Sequence, residues 1–298
     1  MSSNLYQRAH QPDVNGFTVD ITPNSAGWRY SSLRILELRA NRTCTFSTGE
    51  SEWIVLPLRG TCVVTCGKDT FDLEGRGSVF SRVTDFAYVP RDASVTIHSS
   101  QGGRFALTGA RARRALPARY GAAEDVPVEL RGTGSASRQA NNFASPEGFE
   151  TDRLIAVEVL TPGGNWSSYP PHKHDKEGPG EAMLEEIYYF EVHGGAGTGR
   201  PGPGGYQRVY SSAVDREIDV LAEVSTGDTI LIPYGYHGPT MAAPGYDLYF
   251  LNVLAGESES RTMAFCDDPA HAWVRDSWKS QPVDPRLPLT THRGSSCD

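Results

Sequence analysis

The sequence predicts an all-β protein folded as two tandem small closed barrels of the jelly-roll kind, and three observations lead there. With 31 Gly and 20 Pro among 298 residues, apolar runs are short and broken every several residues by Gly, Pro, Asn, Asp or Ser. That is the punctuation of strands and turns rather than of helices. Short strands at even spacing close readily into small barrels, which leave no open edge. Finally, two blocks of the chain repeat one outline, as a duplicated unit does.

The first block carries short apolar strands at 53–60, 61–65, 68–73, 78–80, 86–90 and 94–97. The second carries them at 186–190, 206–210, 217–220, 228–233 and 237–241. In each, a Gly-containing turn precedes an apolar strand that ends in proline, Pro90 or Pro233, and one more strand follows. Between the blocks, 131–148 is rich in Gly, Ser and Asn and reads as a connector. This divides the chain into a first barrel at 1–140 and a second at 141–298. Beyond Trp278, the Pro-rich run 281–288 cannot form a regular element, so a polar tail with disordered last residues is expected.

Composition removes several partners. Net charge is −8, and no Lys/Arg cluster follows a phosphate backbone, so nucleic acid is excluded. The short basic run at Arg111, Arg113 and Arg114 reads as solvated surface. No stretch approaches the ~20 apolar residues of a membrane span. The segment at Met1 lacks an apolar signal core, so a cytoplasmic protein is expected. Cys44, Cys62, Cys66, Cys266 and Cys297 contain no CxxC pair and are expected as reduced thiols.

The residues that carry chemistry sit in the second block. His172 and His174 are one residue apart after Pro170-Pro171, and on a strand such residues share a face. A third imidazole, His237, closes the turn after Pro233. With one carboxylate they form a mixed nitrogen and oxygen set for one divalent ion, zinc first, with manganese, iron or nickel as alternatives. Glu177 and Glu181 lie in a Gly/Pro-rich stretch expected to be a mobile surface loop. Alternation then puts Glu186 on one face with Tyr188 and Phe190, and Glu185 on the other. Glu186 is the fourth ligand expected, with Glu185 as the alternative. The first block has no His-x-His, and Ser94 stands where the second block has His237, so the first barrel should hold no metal. Glu52 is read there as a surface residue.

Taken together, 165–175, the Leu-Glu-Glu-Ile-Tyr-Tyr stretch at 184–189, 207–210, 233–237, 246–256 and 268–273 resemble the 5-deoxy-glucuronate isomerases of myo-inositol catabolism. These are bicupins, two cupin-type jelly-roll barrels in tandem, related to the 4-deoxy-L-threo-5-hexosulose-uronate ketol-isomerases. The resemblance runs from the first barrel to about Leu289 and implies a metal in the second cupin, held by His172, His174, Glu186 and His237. One departure is the long insertion from Asp175 to Glu185, where most cupins have a few residues. Another is the glycine-rich stretch 190–205, which reads equally as an active-site lid or a solvated insertion.

The implied reaction is an aldose-ketose isomerisation of 5-deoxy-D-glucuronate to 5-dehydro-2-deoxy-D-gluconate. A divalent Lewis acid would steady the charge that builds on the sugar oxygens when the C2 proton leaves. For the proton carrier two residues are candidates. Glu158 interrupts an apolar strand, its alternative role being an ion pair with an Arg. His271 lies in an Asp-Pro-Ala-His-Ala-Trp run, its alternative being packing against Trp273. Arg208 offers a fork for the substrate carboxylate, and Tyr246, Tyr249 and Asn252 offer further contacts. The expected partner is a small sugar acid, with self-association left open. The same ligand set would serve an Fe- or Mn-dependent oxygenase, and a non-catalytic sugar-binding bicupin is a third reading.

Overall fold

The computed structural model describes residues 5–194, 203–258 and 260–294. Strands dominate, and helices are limited to single turns such as Pro23–Ala26 and Val274–Ser277. No described helix is long and apolar enough to cross a membrane. A nine-stranded sheet running from Phe17–Ile21 to Arg119–Gly121 curls into the first barrel. A seven-stranded and a six-stranded sheet make the second.

Alternation along each strand sorts the core. In Ser51–Cys66, Trp53 and Val55 point into the first barrel with Phe46, Phe105 and Leu107, whereas Ile54 and Leu56 point out of it. In Leu184–Gly194, Tyr188 and Phe190 point into the second barrel, whereas Ile187 and Tyr189 point out. The outward sets meet. Leu33, Ile35, Ile54 and Leu56 of one barrel share a cluster with Ile187, Tyr189, Leu251 and Val253 of the other. Each such side chain contributes about 1.5–3 kcal/mol on burial, so this seam is as much a core as either barrel interior.

Three expectations change. The run 131–148 is not a connector, because Val128–Arg131 and Arg138–Ala144 pair with each other and then with Ile155–Thr161. Its polar composition reflects buried hydrogen bonding: Gln139 reaches Asn141 and Thr290, and Asn141 reaches Glu158. Strand pairing therefore changes barrel between Gly121 and Val128 rather than near residue 140.

The tail is not a free end either. It has no regular element over 281–294, yet Leu287 and Leu289 enter the seam. The Thr291 carbonyl accepts from Val83 N–H of the first barrel. At the other end, Tyr6–Gln7 pairs with Thr229–Ile230 of the second barrel. The expected disorder of the last residues falls on 295–298, outside the described residues.

Glu52 is not at the surface. It is fully buried, and its carboxylate accepts the backbone N–H of Asp152, Arg153 and Leu154 at 2.7–2.8 Å and the Tyr88 hydroxyl at 2.9 Å. A first-barrel side chain thus holds the lead-in to the strand Ile155–Thr161 of the second.

Candidate metal centre

His172 and His237 face each other across an antiparallel pair, and His174 follows one residue beyond Lys173. Lys173 alternates outward to Glu181, with Nζ 2.6 Å from the carboxylate. Glu181 also accepts the Asp175 N–H at 2.7 Å, which folds the insertion back against the strand. Glu181 is therefore a tether and not part of a mobile loop, whereas Glu177 is exposed. Asp175 accepts the Gly235 N–H at 2.8 Å, fixing the turn that carries His237 beside His174.

One ligand nitrogen of each of the three imidazoles lies within 4.8 Å of the others. Two ligands at ~2.1 Å from one ion stand up to ~4 Å apart, so the set is close to closed geometry. Nδ1 of His174 faces the Ala264 carbonyl at 3.2 Å, and Nδ1 of His237 faces the Gly235 carbonyl at 3.2 Å. This orients Nε2 of both rings inward, as outer partners of metal-binding imidazoles do.

Glu186 completes the cluster. Its Oε2 stands 3.0 Å from His237 Nε2, yet the two are not aligned for a hydrogen bond, and both are buried without a partner. Orphaned buried atoms aimed at one point fit a cation between them. Its other oxygen accepts from the Asn252 amide. Burial raises the Glu186 carboxyl, but the imidazoles of His237 and His174 and the Asn252 amide outweigh it, and the group lies below its ordinary value. Burial pushes His174 down to about 4 against the opposing pull of Glu186. Burial, then the neighbouring imidazoles, also push His172 well down. Neutral rings at His172 and His174 beside a carboxylate are the ionisation state a divalent ion requires.

The cluster opens on a cavity of about 570 Å³. His172, His174 and Glu186 line it beside Tyr188 and Asn252, with His237 behind them. Among the described residues this is where three or more ligand-type side chains converge. Cys62 and Cys66 are buried thiols of the first barrel, raised by burial.

The remaining candidates lie elsewhere. Glu185 points to the seam, where it accepts the N–H groups of Arg29, Tyr30 and Ser31 at 2.7–3.0 Å. Glu158 has the parity opposite to the cavity-lining Val157 and Val159, so it too faces the seam. There it is ion-paired with Arg76 and accepts the Tyr249 hydroxyl at 2.8 Å, which takes Tyr249 out of the cavity as well. Arg208 alternates outward between the buried Gln207 and Val209 and pairs with Asp219. Tyr246 shares the face of Asn252 but lies six residues along the strand Tyr246–Gly256, about 20 Å away. His271 does not line the cavity and packs against Tyr169, ring centroids 5.8 Å apart, while Trp273 is exposed. Of the proposed substrate contacts, Asn252 alone borders the site, and it does so through Glu186. The glycine-rich stretch falls largely on 195–202, outside the described residues.

Fold and site define a two-barrel, cupin-type protein whose second barrel holds a cluster of three imidazoles and one carboxylate. Within that class the chain belongs to the KduI/IolB family, whose model matches residues 5–274. It is 38% identical over 278 residues to a 5-deoxy-glucuronate isomerase of Geobacillus kaustophilus, covering 92% of this chain and 96% of that one. It is 36% identical over 258 residues to one of Bacillus subtilis, covering 86% and 91%. A crystal structure of an IolB-like protein from Salmonella typhimurium superposes with a TM-score of 0.82 at 31% identity, over 91% of this chain and 99% of that one. Oxalate decarboxylase of Lactobacillus farciminis shares the fold, with a TM-score of 0.61 at 12% identity over 90% and 89%.

Proposed function

We propose that this chain is a 5-deoxy-glucuronate isomerase, interconverting the aldose acid and 5-dehydro-2-deoxy-D-gluconate, and that it works with one divalent metal ion. The observation that carries the reading is the cavity built around His172, His174, Glu186 and His237 in a chain 38% identical to an enzyme of that name over 92% of its length. When bound, the ion would supply Lewis acidity toward adjacent oxygens of the sugar.

The chain's own groups do the rest. Asn252 holds one oxygen of Glu186 and leaves the other aimed at the imidazoles. Tyr188 stacks on Phe250, with ring centroids 5.0 Å apart, and its hydroxyl meets Ser168 Oγ at 3.1 Å. Burial, and then the Glu186 charge, raise the Tyr188 hydroxyl, so it stays protonated and can donate to a sugar oxygen. Glu158 and His271 stand off the cavity, which leaves the proton carrier to be sought among its lining groups.

Turnover of 5-deoxy-D-glucuronate followed by NMR under anaerobic conditions tests the assignment. We expect conversion without oxygen, its loss on chelation, and its return on adding zinc or manganese. A requirement for oxygen would replace the reading with an oxygenase, and activity indifferent to chelators would remove the metal from it.

A further inference from the structure

Four guanidinium groups line the cavity, and two are ion-paired: Arg131 with Glu129 at 2.8 Å and Arg275 with Asp267 through two nitrogens. Arg261 is held by the carbonyls of Ala144 and Phe149, with its Nε left without a partner. Arg138 is different. Its one hydrogen bond among the described residues goes to the Ala136 carbonyl at 3.1 Å, and its guanidinium lies 5.6 Å over the Trp278 ring. We infer that Arg138 binds the substrate carboxylate, holding the acid end of the sugar while the aldehyde end meets the His172, His174, His237 and Glu186 cluster. The inference rests on the isomerase reading and deepens it.

The geometry supports this in three ways. Arg131 and Arg138 are direct cross-strand partners whose like charges repel, and Glu129 is ion-paired with Arg131, which leaves Arg138 without an ion pair of its own among the described residues. Gly132, at φ +70°, keeps the turn clear of the guanidinium, since a Cβ there would stand 2.7 Å from Arg138 Nη1. Arg138 lines the same cavity as His172, His174 and Glu186. Burial, and after it the charges of Arg131 and Arg275, push Arg138 down to about 10. It remains a cation at neutral pH, and a carboxylate is the ligand that relieves both penalties. A planar fork stacked on an indole is also pre-organised, so little side-chain freedom is lost on binding.

The test compares the uronate with 5-deoxy-D-glucose, which carries an alcohol in place of the carboxylate, in wild type, R138K and R138Q. Losing a charge-assisted contact is expected to raise KM for the uronate roughly 10- to 100-fold in R138Q. R138K should fall between, and the loss in kcat/KM for 5-deoxy-D-glucose should be far smaller than the loss for the uronate. Calorimetric binding of D-glucuronate is read in parallel, with weakening expected in R138Q. Unchanged KM and binding in R138Q, or equal losses on acid and alcohol, overturn the inference. If R138Q does not fold, R138K carries the same comparison. Should wild type bind D-glucuronate through Arg138 yet fail to isomerise the deoxy acid, the functional reading falls and the carboxylate site stands.

Discussion

At the scale of single residues, the strand Leu184–Gly194 assigns adjacent glutamates to opposite tasks. Glu186 closes the imidazole cluster, and Glu185 caps three backbone N–H groups of the first barrel. Replacing them separates the tasks. E186Q should reduce metal content at limiting zinc by at least tenfold with little change in unfolding temperature. E185Q should keep the metal and lower stability by about 1–3 kcal/mol, read by denaturant titration and elemental analysis. The same contrast applies to Glu158, whose partner Arg76 is wholly buried. E158Q leaves an uncompensated buried cation, a loss of about 3–5 kcal/mol, while the kcat of the folded fraction should stay within a few-fold of wild type. Period-two alternation made the two glutamates distinguishable in the sequence. Motifs taken without that test pick out Arg208 and Tyr249, and both point away from the cavity because neighbours in a strand face opposite ways. Arg138 gave no such signal. It sits at the edge of a polar run whose burial is decided by strands far away in the chain.

Among elements, the attachment of the strand Ile155–Thr161 depends on Glu52, a hundred residues upstream. No local pattern announces such a contact, which is why a carboxylate in an otherwise apolar strand read as surface. E52A orphans three buried N–H groups and should cost about 3–5 kcal/mol, seen as a fall of about 10 °C in Tm. The tail is a second fastening. Asp284 accepts a fork from Arg286 and the Asn165 amide at 3.0 Å, joining the tail to the turn before the His172 strand. The Arg286 contact chiefly pulls the Asp284 carboxyl down from 3.8 to about 2. A depressed carboxylate contributes stability above its unfolded value and loses it as pH falls through its folded one. The stability difference between wild type and D284N should therefore be constant above about pH 5, shrink as pH falls through about 2 and be gone by about pH 1, as urea titrations at stepped pH would show. The two-block outline was legible from Pro90 and Pro233. The strands within 131–148 were not, because a hydrogen-bonded polar interior has the composition of a loop.

For the whole molecule, the seam shared by both barrels argues for one cooperative unit. Calorimetry should show a single transition, with calorimetric and van't Hoff enthalpies in agreement. The crossed ends carry this further. The segment before the link, 5–121, supplies Tyr6–Gln7 to the second barrel's sheet, and the segment after it returns Leu287 and Leu289 to the shared seam and Thr291 to the first barrel. Each half therefore wears a piece of the other, like two clasped hands, and the peptide link at 122–127 is not what keeps them together. A protein cut there by an inserted protease site should elute as one particle and keep its activity, whereas either fragment expressed alone should be insoluble.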